Sequence, residues 1–87
     1  MAETPTIGEL FKAKEIGEEE VDAAITGYLA GALDEVVVFA DTYRVNVAAA
    51  VKAVPKLRDR AHDPDASEFL KRIAVRTALM LARPEML

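Results

Sequence analysis

With 87 residues, 52% of them hydrophobic, the chain has apolar mass for one folded core, and the absence of cysteine excludes disulfides and thiolate metal sites. The net charge of −4 hides an uneven split: residues 1–50 carry three Lys/Arg against ten Asp/Glu, residues 51–87 eight against five. The longest charge-free run, Ala23 to Leu33, is 11 residues; a bilayer-spanning helix takes ~20 apolar residues, so a transmembrane helix is excluded.

Met1 to Pro5 reads as a flexible tail without a signal-peptide pattern, and residues 6–87 as a single helical domain. Thr6-Ile7-Gly8-Glu9 fits a capping box and opens a helix over Ile7–Ile16, with Ile7, Leu10 and Phe11 inward. Gly17 is the expected stop, through a left-handed backbone. Glu18, Glu19 and Glu20 then favour a new helix N-terminus, where carboxylates complement the helix dipole.

From Val21 the apolar residues recur at steps of three or four: Val21, Ile25, Tyr28, Ala32, Val36, Phe39, Tyr43, Val47, Ala50 and Val54. That spacing predicts one long central helix over Glu18–Tyr43, followed by another over Asn46–Ala61. Ala23, Gly27 and Gly31, four apart, make a shallow groove for a closely approaching helix. Val36-Val37-Val38-Phe39 and Tyr43-Arg44-Val45-Asn46-Val47 also suit strands, so a hairpin at 36–47 is the alternative. No Asn-Gly or other glycine marks its turn, and the helical reading is preferred.

Asn46 is a candidate cap, and Pro55 must kink or restart the helix near Val54. Ala61-His62-Asp63-Pro64 reads as a loop, and Asp65 or Ser67 caps a last helix over Ala66–Arg83. That helix is apolar nearly all round, with a polar edge of Arg72, Arg76 and Arg83, so it belongs in a core or an interface. The expected fold is therefore all-α, a small bundle of about four helices, with α+β and a hairpin at 36–47 as the alternative.

Two resemblances bear on function. Phe39 to Val54 resembles the core of a helix-turn-helix, with Ala40, Val45 and Val54 at packing positions and Asn46 capping the recognition helix. The resemblance covers 16 of the 87 residues. It implies DNA binding, with Lys52, Lys56, Arg58 and Arg60 reaching phosphates. Arg44 stands where glycine is usual, and Val47, Ala48 and Ala49 offer no donors to base edges. The same run, with Ala50-Val51, is similar to a segment of the small all-α nucleotide pyrophosphohydrolases related to MazG. That family's paired acids hold Mg²⁺; the matching acids here are Glu19, Asp22, Asp34 and Glu35, with none at Gly31 or Val38.

His62 is the single histidine and reads as a solvated loop residue, and Ser67 as a helix cap. No catalytic residue, metal ligand or cofactor site is assigned. Acidic and basic halves that complement each other, within the molecule or across a dimer, explain the charge split better than a nucleic-acid surface does. The expected role is non-catalytic, through protein–protein contacts or self-association, possibly regulatory, as a cytoplasmic homodimer. Gly27, Gly31, Val36, Phe39, Tyr43, Phe69, Ile73 and Met80 are the interface candidates. DNA-binding regulator and Mg²⁺-dependent pyrophosphohydrolase are the alternatives.

Overall fold

The structure is a computed structural model that describes residues 5–31 and 36–86. Helix α1 (Ile7–Lys12) begins at the capping box: Glu9 N–H donates to Thr6 Oγ1, and the Thr6 backbone N–H donates to Glu9 Oε1, each at 3.2 Å. The Ile7 N–H, an orphan donor of that first turn, finds the carbonyl of Ala82 at 2.9 Å. Gly8 faces the same chain: a Cβ there would meet the Met80 carbonyl oxygen at 3.0 Å. The left-handed stop falls on Lys14 (φ +63°), not on Gly17. Helix α1 is accordingly shorter than Ile7–Ile16, and Gly17 (φ −88°) is instead the N-cap of α2 (Glu18–Leu29).

Helix α2 ends far short of Tyr43. Ala30 is its C-cap and Gly31, at φ +106°, takes the left-handed conformation that closes it. The long central helix is thereby corrected to a helix and a hairpin, and the fold to mixed α+β rather than all-α. Strands β1 (Val36–Phe39) and β2 (Tyr43–Asn46) pair antiparallel, with Val37 opposite Val45 and Phe39 opposite Tyr43. The physical reason is a coincidence of periods. Phe39 and Val47 face inward under either period, whereas Val36 and Val45 discriminate. Val36 is 49% exposed and Val45 only 6%, the alternation of a strand.

The turn manages without glycine. Thr42 N–H bonds to the Phe39 carbonyl at 3.1 Å, and both Ala40 (φ +53°) and Asp41 (φ +56°) are left-handed, as in a type I′ turn. Aspartate tolerates this conformation, whereas an alanine Cβ is strained in it. Glu20 supports the strained residue. Its Oε1 accepts the Ala40 N–H at 2.7 Å while its Oε2 accepts the Gly17 N–H at 3.0 Å. One carboxylate thus joins the start of α2 to the hairpin turn.

Asn46 leaves β2 and caps α3 (Val47–Lys52), accepting the Ala49 N–H at 3.0 Å. Pro55 opens α4 (Pro55–Ala61) at a position where no N–H is needed. Ser67 caps α5 (Glu68–Leu81) through the Leu70 N–H at 3.2 Å. A short β3 (Glu85–Met86) returns to pair with β2, giving the order β1-β2-β3. Helix α5 packs against α1, α2, α3 and α4. Its Ala74, Val75, Ala78 and Leu79 meet Ile7, Ile25, Phe39 and Val51 in one buried cluster.

Two stability measurements follow from this packing. Phe39, with no exposed surface, leaves a large cavity when cut back, so Phe39→Ala is expected to cost about 3–5 kcal/mol in urea denaturation. Ala40→Gly relieves the left-handed strain and is expected to stabilise the protein by about 0.4–1 kcal/mol. A destabilising Ala40→Gly would show that the turn is not held left-handed.

Candidate functional site

Two surface features carry chemistry beyond packing. The first lies where the end of α2 meets α3 and α4. The last turn of α2 directs Tyr28 toward the C-cap of α4, where Tyr28 Oη and His62 Nε2 stand 2.7 Å apart. The rings meet edge to face, with centroids 5.7 Å apart and planes at 63°. Arg58 and His62 are four residues apart and share one side of α4 and its cap. Lys52, at the end of α3, reaches the same place. Together with Asn46, Ala48 and Ala49 these residues line a cleft of about 430 Å³.

Tyr28 is nearly buried, and burial pushes its phenol above the usual value of 10.0, while the neighbouring Arg58 charge pulls the other way. The sequence pointed to Tyr28 only as part of an apolar stripe and to His62 only as a solvated loop residue. Their pairing spans 34 residues, and no local pattern encodes it.

Charge divides the basic residues into two groups. On α5, Arg76 pairs with Glu18 at 2.9 Å and Arg72 with Asp22 at 3.7 Å, and Arg72 also donates to Thr26 Oγ1 at 3.0 Å. Glu18, Asp22 and Thr26 recur every fourth residue of α2, so its polar edge runs along α5. These acidic and basic segments complement each other within one molecule. Among the described residues, Lys52, Lys56 and Arg60 of α3 and α4 have no carboxylate within 4.0 Å, and neither do Lys12, Lys14 and Lys71. Arg58 has only Asp59, its neighbour in the chain, at 3.4 Å.

The second feature is the outer face of α5. Phe69, Ile73, Thr77 and Leu81 recur every fourth residue and all are exposed, Phe69 by 70% and Leu81 by 61%. Thr77 Oγ1 donates to the Ile73 carbonyl at 2.9 Å, which turns the one hydroxyl of this row into its own helix. Leu70, also exposed, flanks the row. Leu81 and Val36 line one cleft of about 620 Å³ together with Ala49 and Ala53.

The remaining interface candidates are differently placed. Phe39 is buried in the chain's own core, while Tyr43 and Met80 are partly buried against it. A Cβ at Gly27 or Gly31 would meet nothing within 4 Å, so no described helix uses that groove. The helix expected to precede the turn of a helix-turn-helix is a strand hairpin, although Asn46 does cap the helix after it. Of the acids implied by the pyrophosphohydrolase resemblance, Asp34 and Glu35 lie outside the described residues, as do Ala32 of the stripe and residues 1–4 of the tail. Asp22 is paired with Arg72, and among the described residues no three His, Cys, Asp or Glu side chains cluster to hold a metal ion. No described helix is long and apolar enough to cross a membrane.

No protein-family model, curated protein or solved structure matches this chain.

The raised phenol makes stability depend on alkaline pH. A folded pKa above the unfolded one leaves stability intact below the unfolded value and removes it as pH rises through the folded value. Urea midpoints measured from neutral to strongly alkaline pH are expected to fall less steeply for Tyr28→Phe than for the wild type. At neutral pH the variant loses the His62 hydrogen bond, about 1 kcal/mol. Parallel alkaline limbs would show that Tyr28 does not carry this dependence.

Proposed function

We propose that this protein is non-catalytic and works through protein contacts, first of all with a second copy of itself, in a regulatory or scaffolding role. The observation that supports this reading is the solvent-facing apolar row of α5. Aromatic and aliphatic side chains at four-residue spacing form a ridge that packs into the groove of another helix. Phe69 to Leu81 covers about 18 Å of helix axis. An antiparallel pairing of two α5 helices about a two-fold axis sets each Phe69 against the second copy's Leu81, and each Ile73 against its Thr77. Such an isologous contact buries the same patch on both subunits and closes at a dimer. The cleft shared by Leu81 and Val36 extends the surface onto the hairpin, where Arg44 and Glu85 on its lining pair with each other.

Arg72 and Arg76 flank the row and are already matched with Asp22 and Glu18, so pairing through it leaves those charges paired. A domain of this size has a limited core, and burying an exposed Phe, Ile and Leu on each subunit adds apolar area it cannot bury alone. The cysteine-free sequence suits a reducing compartment, and the cytoplasm is the proposed setting.

Light scattering at micromolar concentration tests the reading. The wild type is expected at twice the 9.5 kDa chain mass, and the double variant Phe69→Glu, Ile73→Glu at the monomer mass with an unchanged circular dichroism spectrum. A wild type that runs as a monomer throughout overturns it.

A further inference from the structure

We propose that the cleft between Tyr28, Lys52, Arg58 and His62 is a binding site for the phosphate group of a small phosphorylated molecule. The lining supplies donors and positive charge and contains no carboxylate. Lys52 has no acidic partner among the described residues. Arg58 meets Asp59 only at 3.4 Å, longer than the 2.7–2.9 Å of a strong charge-assisted bond, and keeps its guanidinium fork available. The Asn46 amide oxygen is occupied by the Ala49 N–H, which leaves its NH₂ group to donate. Tyr28 and His62 add a hydroxyl and an imidazole already in contact with each other.

The arrangement suits an anion with several acceptor oxygens better than a single carboxylate. Lysine acts as a point charge, arginine as a planar two-pronged donor and the amide as a neutral donor, while the Tyr28–His62 pair keeps one hydrogen beyond the one shared between them. Three arginines elsewhere are neutralised by carboxylates: Arg44 has Glu85, Arg72 has Asp22 and Arg76 has Glu18. Cations left without such partners around a concave, partly apolar pocket are the pattern of a preformed ligand site. The lining also includes Ala48 and Ala49, whose small side chains leave room for the phosphate and the first atoms of what it is attached to. None of these residues lies on the outer row of α5, so the site stands independently of the self-association reading.

The test is a titration of the full chain, followed by ¹H–¹⁵N correlation spectra and by the His62 ring signals. The probes are inorganic phosphate, adenosine monophosphate and a short single-stranded oligodeoxynucleotide. Saturable shifts confined to the cleft with phosphate or the nucleotide, weakened about tenfold or more in both Lys52→Gln and Arg58→Gln, support the proposal. Tighter binding of the nucleotide than of free phosphate identifies an organic phosphate as the ligand class. Both variants sit on the surface, and their thermal melts establish that they fold. Shifts that never saturate, or that persist unchanged in both variants, overturn the proposal. Oligonucleotide binding that depends on Lys56 and Arg60 but not on Arg58 overturns it too, because the anionic contact then lies on the outer side of α4.

Discussion

The inward face of α5 is the constraint on which the rest of the fold depends. Ala74, Val75, Ala78 and Leu79 are buried, and all four other helices rest against this helix. Two of those four positions are alanine, so neighbouring backbones approach closely. The same economy appears at Gly8, where α1 crosses the end of α5 and any side chain larger than hydrogen would press on the Met80 carbonyl. The Ile7 N–H bond to Ala82 then fixes α1 on α5 in the direction of its axis. An enlarged residue at position 8 or 78 would act on every layer at once, because interiors at this density transmit strain.

Against that helix the hairpin is held by polar groups as much as by its apolar face. Phe39 and Val45 anchor one side in the core. Glu20 satisfies two backbone N–H groups, that of Gly17 at the α2 N-cap and that of Ala40 in the turn, and so supports Ala40 in a conformation alanine resists. The three glutamates of the α2 start have separate tasks. Glu20 bridges to the turn and Glu18 pairs with Arg76, while Glu19 stays exposed at the helix start, where the dipole argument applies.

Much of this local structure is legible in the sequence, and what is not has identifiable causes. The caps at Thr6, Asn46 and Ser67 and the restart at Pro55 depend only on residues within one turn, and they stand where the pattern puts them. The hairpin was hidden because Phe39 and Val47 are apolar under both the strand period and the helix period, and because the turn substitutes a distant carboxylate for glycine. Lys14 in place of Gly17 is the left-handed residue because α1 closes early, with the Lys14 and Glu15 N–H groups bonding back to the Phe11 and Leu10 carbonyls. In the cleft, Lys52 and Arg58 stand out in the sequence as basic residues. The Tyr28–His62 contact does not, since it arises only when α2 and α4 are packed.

Helix α5 also separates the two surfaces on which function is argued. Its polar edge, Arg72 and Arg76, is engaged with α2, and that pairing lies beside the outer apolar row. The basic cleft is built from α2, α3 and α4, and none of its lining comes from α5. A ligand entering the cleft touches no residue of the α5 row, although Asn46 and Ala49 line both this cleft and the one shared by Leu81 and Val36. Any influence of one on the other has to pass through those two residues or through the packing of α3 and α4 on α5. Both helices rest on the buried side of α5, opposite the row from Phe69 to Leu81. Such coupling requires α5 to have two positions relative to its neighbours. The many small residues in its seam favour one close-packed position, so the two surfaces should behave additively, each altered by its own substitutions and not by the other's.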